Sequence, residues 1–195
     1  LHYPLRRQRQ MCIRDSYEHQ SNELPWRESI ADLITIPLNQ NGQLDIETLN
    51  DQLIRYEHRP LKIGSFSAAS NVTGVKTDVD AVTRLLHQHD AFSFWDYAAA
   101  APYVEINMSD HLDEHLHKDA TFISPHKLVG GPGTPGVLVV KKALLNNRVP
   151  AIPGGGTVVY VTPEAHRYSD DFERREEGGT PVSYTHLTLP TKRIV

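Results

Sequence analysis

Several kinds of residue are scarce in this chain of 195 residues, and each absence excludes a class of protein. Cys12 is the only cysteine, so neither a disulfide framework nor a site built from several thiolates can form within the chain. No apolar run approaches the roughly 20 residues that a membrane-spanning helix requires. No signal peptide is visible either, which makes a cytoplasmic location the expectation. A chain of this kind is expected to fold around one sizeable core.

The two ends of the chain mirror each other at the level of codons. Residues 2–15 and 182–195 can be written as antisense translations of one another, with Met11 as ATG opposite His186 as CAT and Cys12 as TGT opposite Thr185 as ACA. This pattern is typical of one DNA element read from both strands, such as a sequencing-library adapter, and a natural inverted repeat is the alternative. We predict that residues 1–16 and 182–195 are adapter-derived and lie outside the fold, and that residues 17–181 form the domain.

Without those ends the chain is strongly acidic. Lys and Arg number 14 instead of 20 and Asp and Glu 23 instead of 24, so the net charge becomes −9 instead of −4, and no cysteine nucleophile is left. An acidic protein has no electrostatic attraction to nucleic acid or to an anionic membrane. We therefore expect neither of them as a partner.

Short apolar runs alternate with helical patterns along the remaining chain. Two segments, 45–58 and 78–90, have apolar residues at the spacing of one helix face. In the first segment these residues are Ile46, Leu49, Leu53 and Ile54. In the second they are Val79, Val82, Leu85 and Leu86. The runs typical of strands buried on both faces are 33–38, 61–67, 91–97, 121–124 and 136–140. This alternation predicts an α/β fold with a mostly parallel sheet and helices on both faces.

Polar residues follow three of these predicted strands. Asn71 comes after the strand at 61–67, Asp96 ends the strand at 91–97, and Ser124, His126 and Lys127 follow the strand at 121–124. Ligands of parallel sheets lie beyond the carboxyl ends of the strands, so these residues are expected to face one crevice.

Five motifs, in this order along the chain, carry a family resemblance: "YEHQSNELPWRES", "SAASNVTG", "FWDYAAA", "FISPHKLVGGPGTPG" and "GGGT" with "REEGGTP". The chain resembles the large domain of class V aminotransferases, which are pyridoxal-phosphate enzymes of fold type I, and in particular their cysteine-desulfurase-like branch. The resemblance covers nearly all of residues 17–181. It implies an enzyme that acts on an amino acid with pyridoxal 5'-phosphate as cofactor.

The resemblance assigns a role to seven residues. Lys127 forms the Schiff base with the cofactor and moves the α-proton of the substrate, which requires burial that lowers its pKa. Asp96 pairs with the pyridinium nitrogen and keeps it protonated. His19 stacks on the cofactor ring and assists proton transfer, and Asn71 is the ligand of the 3-hydroxyl. Ser124 and His126 are phosphate ligands. Thr180 is a phosphate ligand across a homodimer interface.

The chain also departs from the family pattern. Ala99 stands where the desulfurase branch has a glutamine that hydrogen-bonds the cofactor hydroxyl. The segment between Asp96 and Lys127 is longer than usual. The family's N-terminal phosphate-binding turn and C-terminal small domain, with the arginine that holds the substrate carboxylate, are absent from the sequence. We therefore expect a fragment that is inactive by itself, and its amino-acid substrate and reaction type stay open.

Other interpretations remain. His111, His115 and His117, with Asp113 and Glu114, include a histidine pair at helical spacing that would suit a metal, although a solvated helical or loop insertion is the favoured explanation. Each predicted site residue also has a plain structural explanation, such as an exposed loop lysine for Lys127 or a cap for Asp96. The chain could also be a non-catalytic remnant of the fold. The glycine-rich stretches lack the spacing of a nucleotide loop.

Overall fold

The computed structural model describes residues 10–109 and 113–179, and the chain divides into two compact units, one that ends at Val140 and one that begins at Lys141. In its described residues, the first unit has six strands and three α-helices, besides two short 3-10 turns. They are, in chain order, β1 (Gln10–Asp15), α1 (Gln20–Arg27), β2 (Asp32–Ile36), α2 (Ile46–Arg55), β3 (Leu61–Ser67), α3 (Val79–Gln88), β4 (Phe92–Asp96), β5 (Ala120–Ile123) and β6 (Val137–Val140).

The six strands form one sheet in the order β2-β1-β3-β4-β5-β6. All neighbouring pairs are parallel except β5 and β6, which are antiparallel. Trp95 of β4 donates a hydrogen bond from Nε1 to Oγ1 of Thr83 in α3, while the ring of the preceding Phe94 lies 6.2 Å from that of Trp26 in α1. Successive side chains of a strand point to opposite faces, so helices cover both faces of the sheet. The predicted α/β fold with a mostly parallel sheet is confirmed.

The structure differs from the prediction at β1. Residues 10–15 were expected outside the fold, but β1 lies between β2 and β3 and its Met11, Cys12 and Ile13 are buried. The codon pattern concerns the origin of the DNA, whereas the sheet requires only a short segment with an apolar centre, which this segment supplies. The adapter origin of residues 1–16 stays a prediction, and residues 182–195 lie outside the described part of the chain.

Both predicted helices begin at an aspartate. The side chains of Asp45 and Asp78 each accept a hydrogen bond from a backbone N–H in the first turn of α2 and α3, which satisfies a donor that the helix itself cannot pair. The predicted apolar face of α2 is only partly correct, because Leu53 is fully buried whereas Ile54 is 53% exposed. Adjacent residues of a helix point 100° apart, so only one of the two can face the sheet.

The hydrophobic core of the described residues lies between the sheet and its helices. Gly64 brings β3 close to α3, since a Cβ atom there would lie 2.6 Å from Leu86. The buried apolar residues of the core are Met11, Ile13, Ile36, Leu44, Leu49, Leu53, Phe66, Ala68, Val82, Leu86, Ala91, Trp95, Tyr97 and Ala100.

The prediction of a strand buried on both faces is wrong for β6. Val137, Leu138 and Val139 are all substantially exposed, although they point alternately to the two faces of the sheet. The apolar run identifies the strand, but β6 stands at the edge of the sheet, where no described helix of this unit covers it.

The described residues of the second unit form a 3-10 turn at Lys142–Leu144, a short antiparallel hairpin and a short α-helix. The hairpin pairs β7 (Val158–Val161) with β8 (His166–Tyr168), and the helix α4 spans Phe172–Glu176. The guanidinium of Arg175 lies 4.9 Å from the ring centroid of Phe172 and donates to the carbonyl oxygen of Ser169. In the two described ranges of the chain, no helix combines the length and apolar character needed to cross a membrane.

Candidate functional site

A cleft of about 690 Å³ opens at the carboxyl ends of β4 and β5. Its lining includes five of the residues singled out in the sequence: His19, Asp96, Ser124, His126 and Lys127. His19 comes from the start of α1, and the others come from the two strand ends. The predicted crevice beyond the strands therefore brings together residues that lie more than 100 positions apart in the chain.

Lys127 is held at the end of a single 3-10 turn, Pro125–Lys127, which follows β5 directly. The backbone N–H of Lys127 donates to the carbonyl oxygen of Ser124 at 3.0 Å, and that of Gly131 donates to Leu128 at 3.0 Å. A Cβ atom on Gly131 would lie 1.9 Å from the carbonyl oxygen of Pro125. Glycine at this position thus lets the chain fold back against the turn that carries Lys127.

The expected burial of Lys127 is not observed. Its side chain is exposed, as is that of His126. The turn stands at the rim of the cleft, and the described elements of the unit line the cleft without closing over the amine.

Asp96 presents a carboxylate to the cleft. The residue is buried, and its Oδ1 accepts a hydrogen bond of 2.7 Å from the backbone N–H of Ala98. This bond fixes the orientation of the carboxyl group at the end of β4. In the described ranges no partner is recorded for Oδ2, so this oxygen is available to accept a proton donor.

His19 immediately precedes α1 and caps the helix. Its Nδ1 accepts a hydrogen bond of 3.1 Å from the backbone N–H of Ser21. In a neutral ring the proton must then be on Nε2. His19 thus has one nitrogen committed to the helix and the other available as a hydrogen-bond donor.

An aromatic wall that the sequence analysis did not identify completes the cleft. The rings of Trp26 and Phe94 are 6.2 Å apart, and those of Phe94 and Phe122 are 6.3 Å apart in an edge-to-face arrangement. All three residues line the cleft. The sequence did contain a signal for two of these rings. Phe94 lies two positions before Asp96, and Phe122 lies two positions before Ser124. Side chains two positions apart in a strand point to the same face, so each ring shares a face with a predicted site residue.

The carboxyl groups of Asp15 and Glu18 meet directly behind this cleft. Glu18 accepts hydrogen bonds from the backbone N–H of Ser67 at 2.6 Å and from Nδ2 of Asn22 at 2.7 Å, and Asn22 lines the cleft. Burial, reinforced by the charge of Glu18, raises the pKa of Asp15 to about 9. Burial also raises the pKa of Glu18. At neutral pH, Asp15 therefore retains its proton.

Asn71 is not among the residues that line this cleft. It lines a separate cavity of about 310 Å³ together with Ala99 and Tyr103. The resemblance assigns the positions of Asn71 and Ala99 to the cofactor hydroxyl, and the structure places these two residues in the same cavity. Asn71 follows the bend after β3, and this bend carries it away from the strand end. Thr180 lies outside the described residues.

The histidine segment forms no metal site in the described part of the chain. Glu114–Leu116 is a single 3-10 turn, and His115 is exposed. His111 lies outside the described residues. Across residues 10–109 and 113–179, no group of three or more His, Cys, Asp or Glu side chains could hold a metal ion.

Comparisons with known proteins agree with the motifs. The family model of aminotransferase class-V matches residues 2–189. The probable cysteine desulfurase of Halalkalibacterium halodurans is 30% identical over 169 residues, which are 85% of this chain and 39% of that protein. The cysteine desulfurase of Shigella sonnei is 33% identical over 168 residues, or 84% of this chain and 39% of that protein.

Solved structures give the same result. The cysteine desulfurase CsdA from Escherichia coli superposes with a TM-score of 0.74 at 27% identity, covering 88% of this chain and 41% of that one. The apo cysteine desulfurase from Thermococcus onnurineus has a TM-score of 0.71 at 26% identity, covering 89% and 42%. The chain thus spans about two fifths of the relatives that it matches. On this sequence match and this shared fold, the chain belongs to the class V aminotransferase family.

Proposed function

We propose that the chain is part of a pyridoxal-phosphate-dependent enzyme that acts on an amino acid, and that Lys127 holds the cofactor covalently through its amine. The observation that carries this proposal is the convergence of Lys127, Asp96 and His19 on one cleft. These residues are the amine, the carboxylate and the imidazole that the family resemblance assigns to this cofactor. The cysteine desulfurase names of the relatives support a cysteine-desulfurase-like enzyme, with amino-group transfer as the other reaction of the family.

The residues of the cleft fit the chemistry of the cofactor. The available oxygen of Asp96 would accept a hydrogen bond from the protonated pyridine nitrogen, and Ser124 and His126 would hold the phosphate. The aromatic wall and the ring of His19 would offer flat surfaces to an aromatic ring. When bound, pyridoxal phosphate supplies an electron sink for negative charge that develops at the α carbon of the substrate.

Each protein group then has a defined task. Asp96 would hold a proton on the ring nitrogen, because a buried carboxylate beside it favours the charged form. The amine of Lys127 would take up the α-proton of the substrate. His19 would donate from Nε2, the nitrogen that its bond to Ser21 leaves available.

The remaining parts of the proposal concern the longer protein. We expect it to be a homodimer in which Thr180 contacts a phosphate across the interface, and we expect the present chain to be inactive alone. A non-catalytic family member is the second candidate, favoured by Ala99 and by the exposed position of Lys127. A cytoplasmic location stays part of the proposal.

The proposal is tested by covalent trapping. The chain is incubated with pyridoxal phosphate and reduced with borohydride, and the labelled peptide is located by mass spectrometry. We expect one predominant label on Lys127, its loss in Lys127→Ala, and its retention in Lys142→Ala, which removes an exposed lysine elsewhere. A label spread evenly over exposed lysines would favour the non-catalytic candidate.

A further inference from the structure

A second cavity, of about 370 Å³, lies on the other side of β4. Asp96 lines the candidate cofactor cleft, whereas the next residue, Tyr97, lines this second cavity. The cavity is bounded by Asp80 at the start of α3 and by Lys118, which precedes β5. None of its lining residues belongs to the candidate cofactor cleft. A ligand here would therefore occupy a distinct site.

Tyr97 contributes a hydroxyl group that lacks a protein partner. The residue is only 3% exposed, and within the described part of the chain no hydrogen bond to its hydroxyl is recorded. Burial, together with the charge of Asp80, raises the pKa of Tyr97 to about 12, so the hydroxyl stays protonated. Because Tyr97 lines the cavity, a ligand bound there can accept a hydrogen bond from this hydroxyl.

Lys118 provides a second donor on the same wall. Its side chain is 4% exposed, and Nζ donates to the carbonyl oxygen of Asn107 at 2.6 Å. Oδ1 of Asp80 lies 4.0 Å from Nζ, which is an ion pair but too long for a hydrogen bond. An ammonium group has three N–H donors, so donors remain for a ligand.

The charges around the cavity have both signs. Lys76 and Lys118 contribute positive charge, and Asp78, Asp80 and Glu105 contribute negative charge. A simple anion would be repelled by the three carboxylates, and a simple cation would meet the buried ammonium group. A small molecule that carries both charges matches this lining, with its negative end inward and its positive end toward the exposed carboxylates.

We propose that this cavity binds a small zwitterion, a free amino acid, outside the catalytic cleft. The hydroxyl of Tyr97 and the ammonium group of Lys118 receive its carboxylate, and the carboxylates of Asp80 and Glu105 at the rim receive its ammonium group. The inference does not depend on the cofactor, because its groups lie on the opposite face of β4 from Asp96. Small-molecule sites in proteins have about this size.

Titration calorimetry with L-alanine tests the site on the full chain without cofactor. We expect saturable binding that Tyr97→Phe weakens about tenfold, because one buried hydrogen bond to a charged group is lost. The matched control is Tyr103→Phe, which removes a hydroxyl from an exposed tyrosine that does not line the cavity. It should leave the affinity unchanged.

Lys118→Met should abolish binding of alanine, whereas Lys62→Met should not. Lys62 is also buried, and its Nζ lies 3.2 Å from the carbonyl oxygen of Arg59, away from this cavity. Acetate and methylamine, which each carry one of the two charges, should bind at least about tenfold more weakly than alanine. Equal binding of acetate and alanine would overturn the zwitterion assignment.

Absence of alanine binding, or equal effects of Tyr97→Phe and Tyr103→Phe, would overturn the site itself. Lys127→Ala separates the two proposals. It should abolish covalent labelling by pyridoxal phosphate and leave alanine binding at this cavity intact. If Lys118→Met fails to fold, the pair of tyrosine variants still decides the outcome.

Discussion

At the scale of single residues, the buried pair of Asp15 and Glu18 next to the candidate site affects both the stability of the chain and the position of α1. Asp15 is fully buried, and the carboxylate that it faces, Glu18, organises the start of α1 through Ser67 and Asn22. The helix that this pair supports carries His19 and Trp26 into the cleft. A change at Asp15 therefore acts on stability first and on the site through α1.

We predict that Asp15→Asn stabilises the chain at neutral and alkaline pH. The pKa of Asp15 rises from 3.8 to about 9 on folding, so the folded protein retains a proton that the unfolded chain loses between these values. The free energy of unfolding must then fall as the pH rises through this range. The variant removes this pH-dependent cost and should therefore have a higher free energy of unfolding than the unmodified chain at pH 8.

Urea unfolding between pH 4 and 9 measures this effect. The control is Asp51→Asn, which makes the same chemical change at an exposed position of α2. Its pH profile should follow that of the unmodified chain. If the profile of Asp15→Asn also runs parallel to that of the unmodified chain, the carboxyl group of Asp15 does not retain its proton on folding.

At the scale of elements, the turn after β5 determines where Lys127 lies. The 3-10 turn has only three residues, and its carbonyl at Pro125 packs against the backbone of Gly131. The phenylalanines of β4 and β5 are placed by the strands themselves. The position of the Lys127 amine thus depends on a tight loop, whereas the positions of the two phenylalanine rings depend on the sheet.

We predict that Gly131→Ala displaces the turn that carries Lys127. The added methyl group would overlap the carbonyl oxygen of Pro125, and relief of such overlap costs about 1–3 kcal/mol. Labelling of Lys127 by pyridoxal phosphate should fall at least about tenfold with the turn displaced. Gly136→Ala is the control, because a Cβ atom there meets only the carbonyl oxygen of Ile123, at 3.8 Å. Equal labelling of the two variants would contradict the role of Gly131.

At the scale of the whole molecule, the sheet ends at an uncovered apolar edge. Leu138 in β6 is 55% exposed, and its neighbours on both sides are exposed as well. Edge strands of this kind pair with other chains unless charge or a covering element prevents it. The isolated chain is therefore expected to associate through β6.

We predict that the chain self-associates with increasing concentration and that Leu138→Lys suppresses this association. A charge on the edge strand opposes pairing with a second strand, as in natural proteins. Sedimentation velocity over a range of concentrations measures the effect. Val72→Lys is the control, since Val72 is 85% exposed but lies in a loop. Similar sedimentation of the two variants would exclude β6 as the contact.

The sequence by itself determined the fold class, five of the strands and the two long helices, because apolar periodicity and aspartate caps act locally. Its motifs also identified the family and five of the residues that line the candidate site. Only the tertiary structure decided which of them meet. It brought His19 to Asp96 and Lys127, placed Asn71 in a different cavity, left Lys127 exposed and inserted residues 10–15 between β2 and β3. These outcomes depend on strand order and on which faces are covered, and neither is encoded in the local pattern of a single segment.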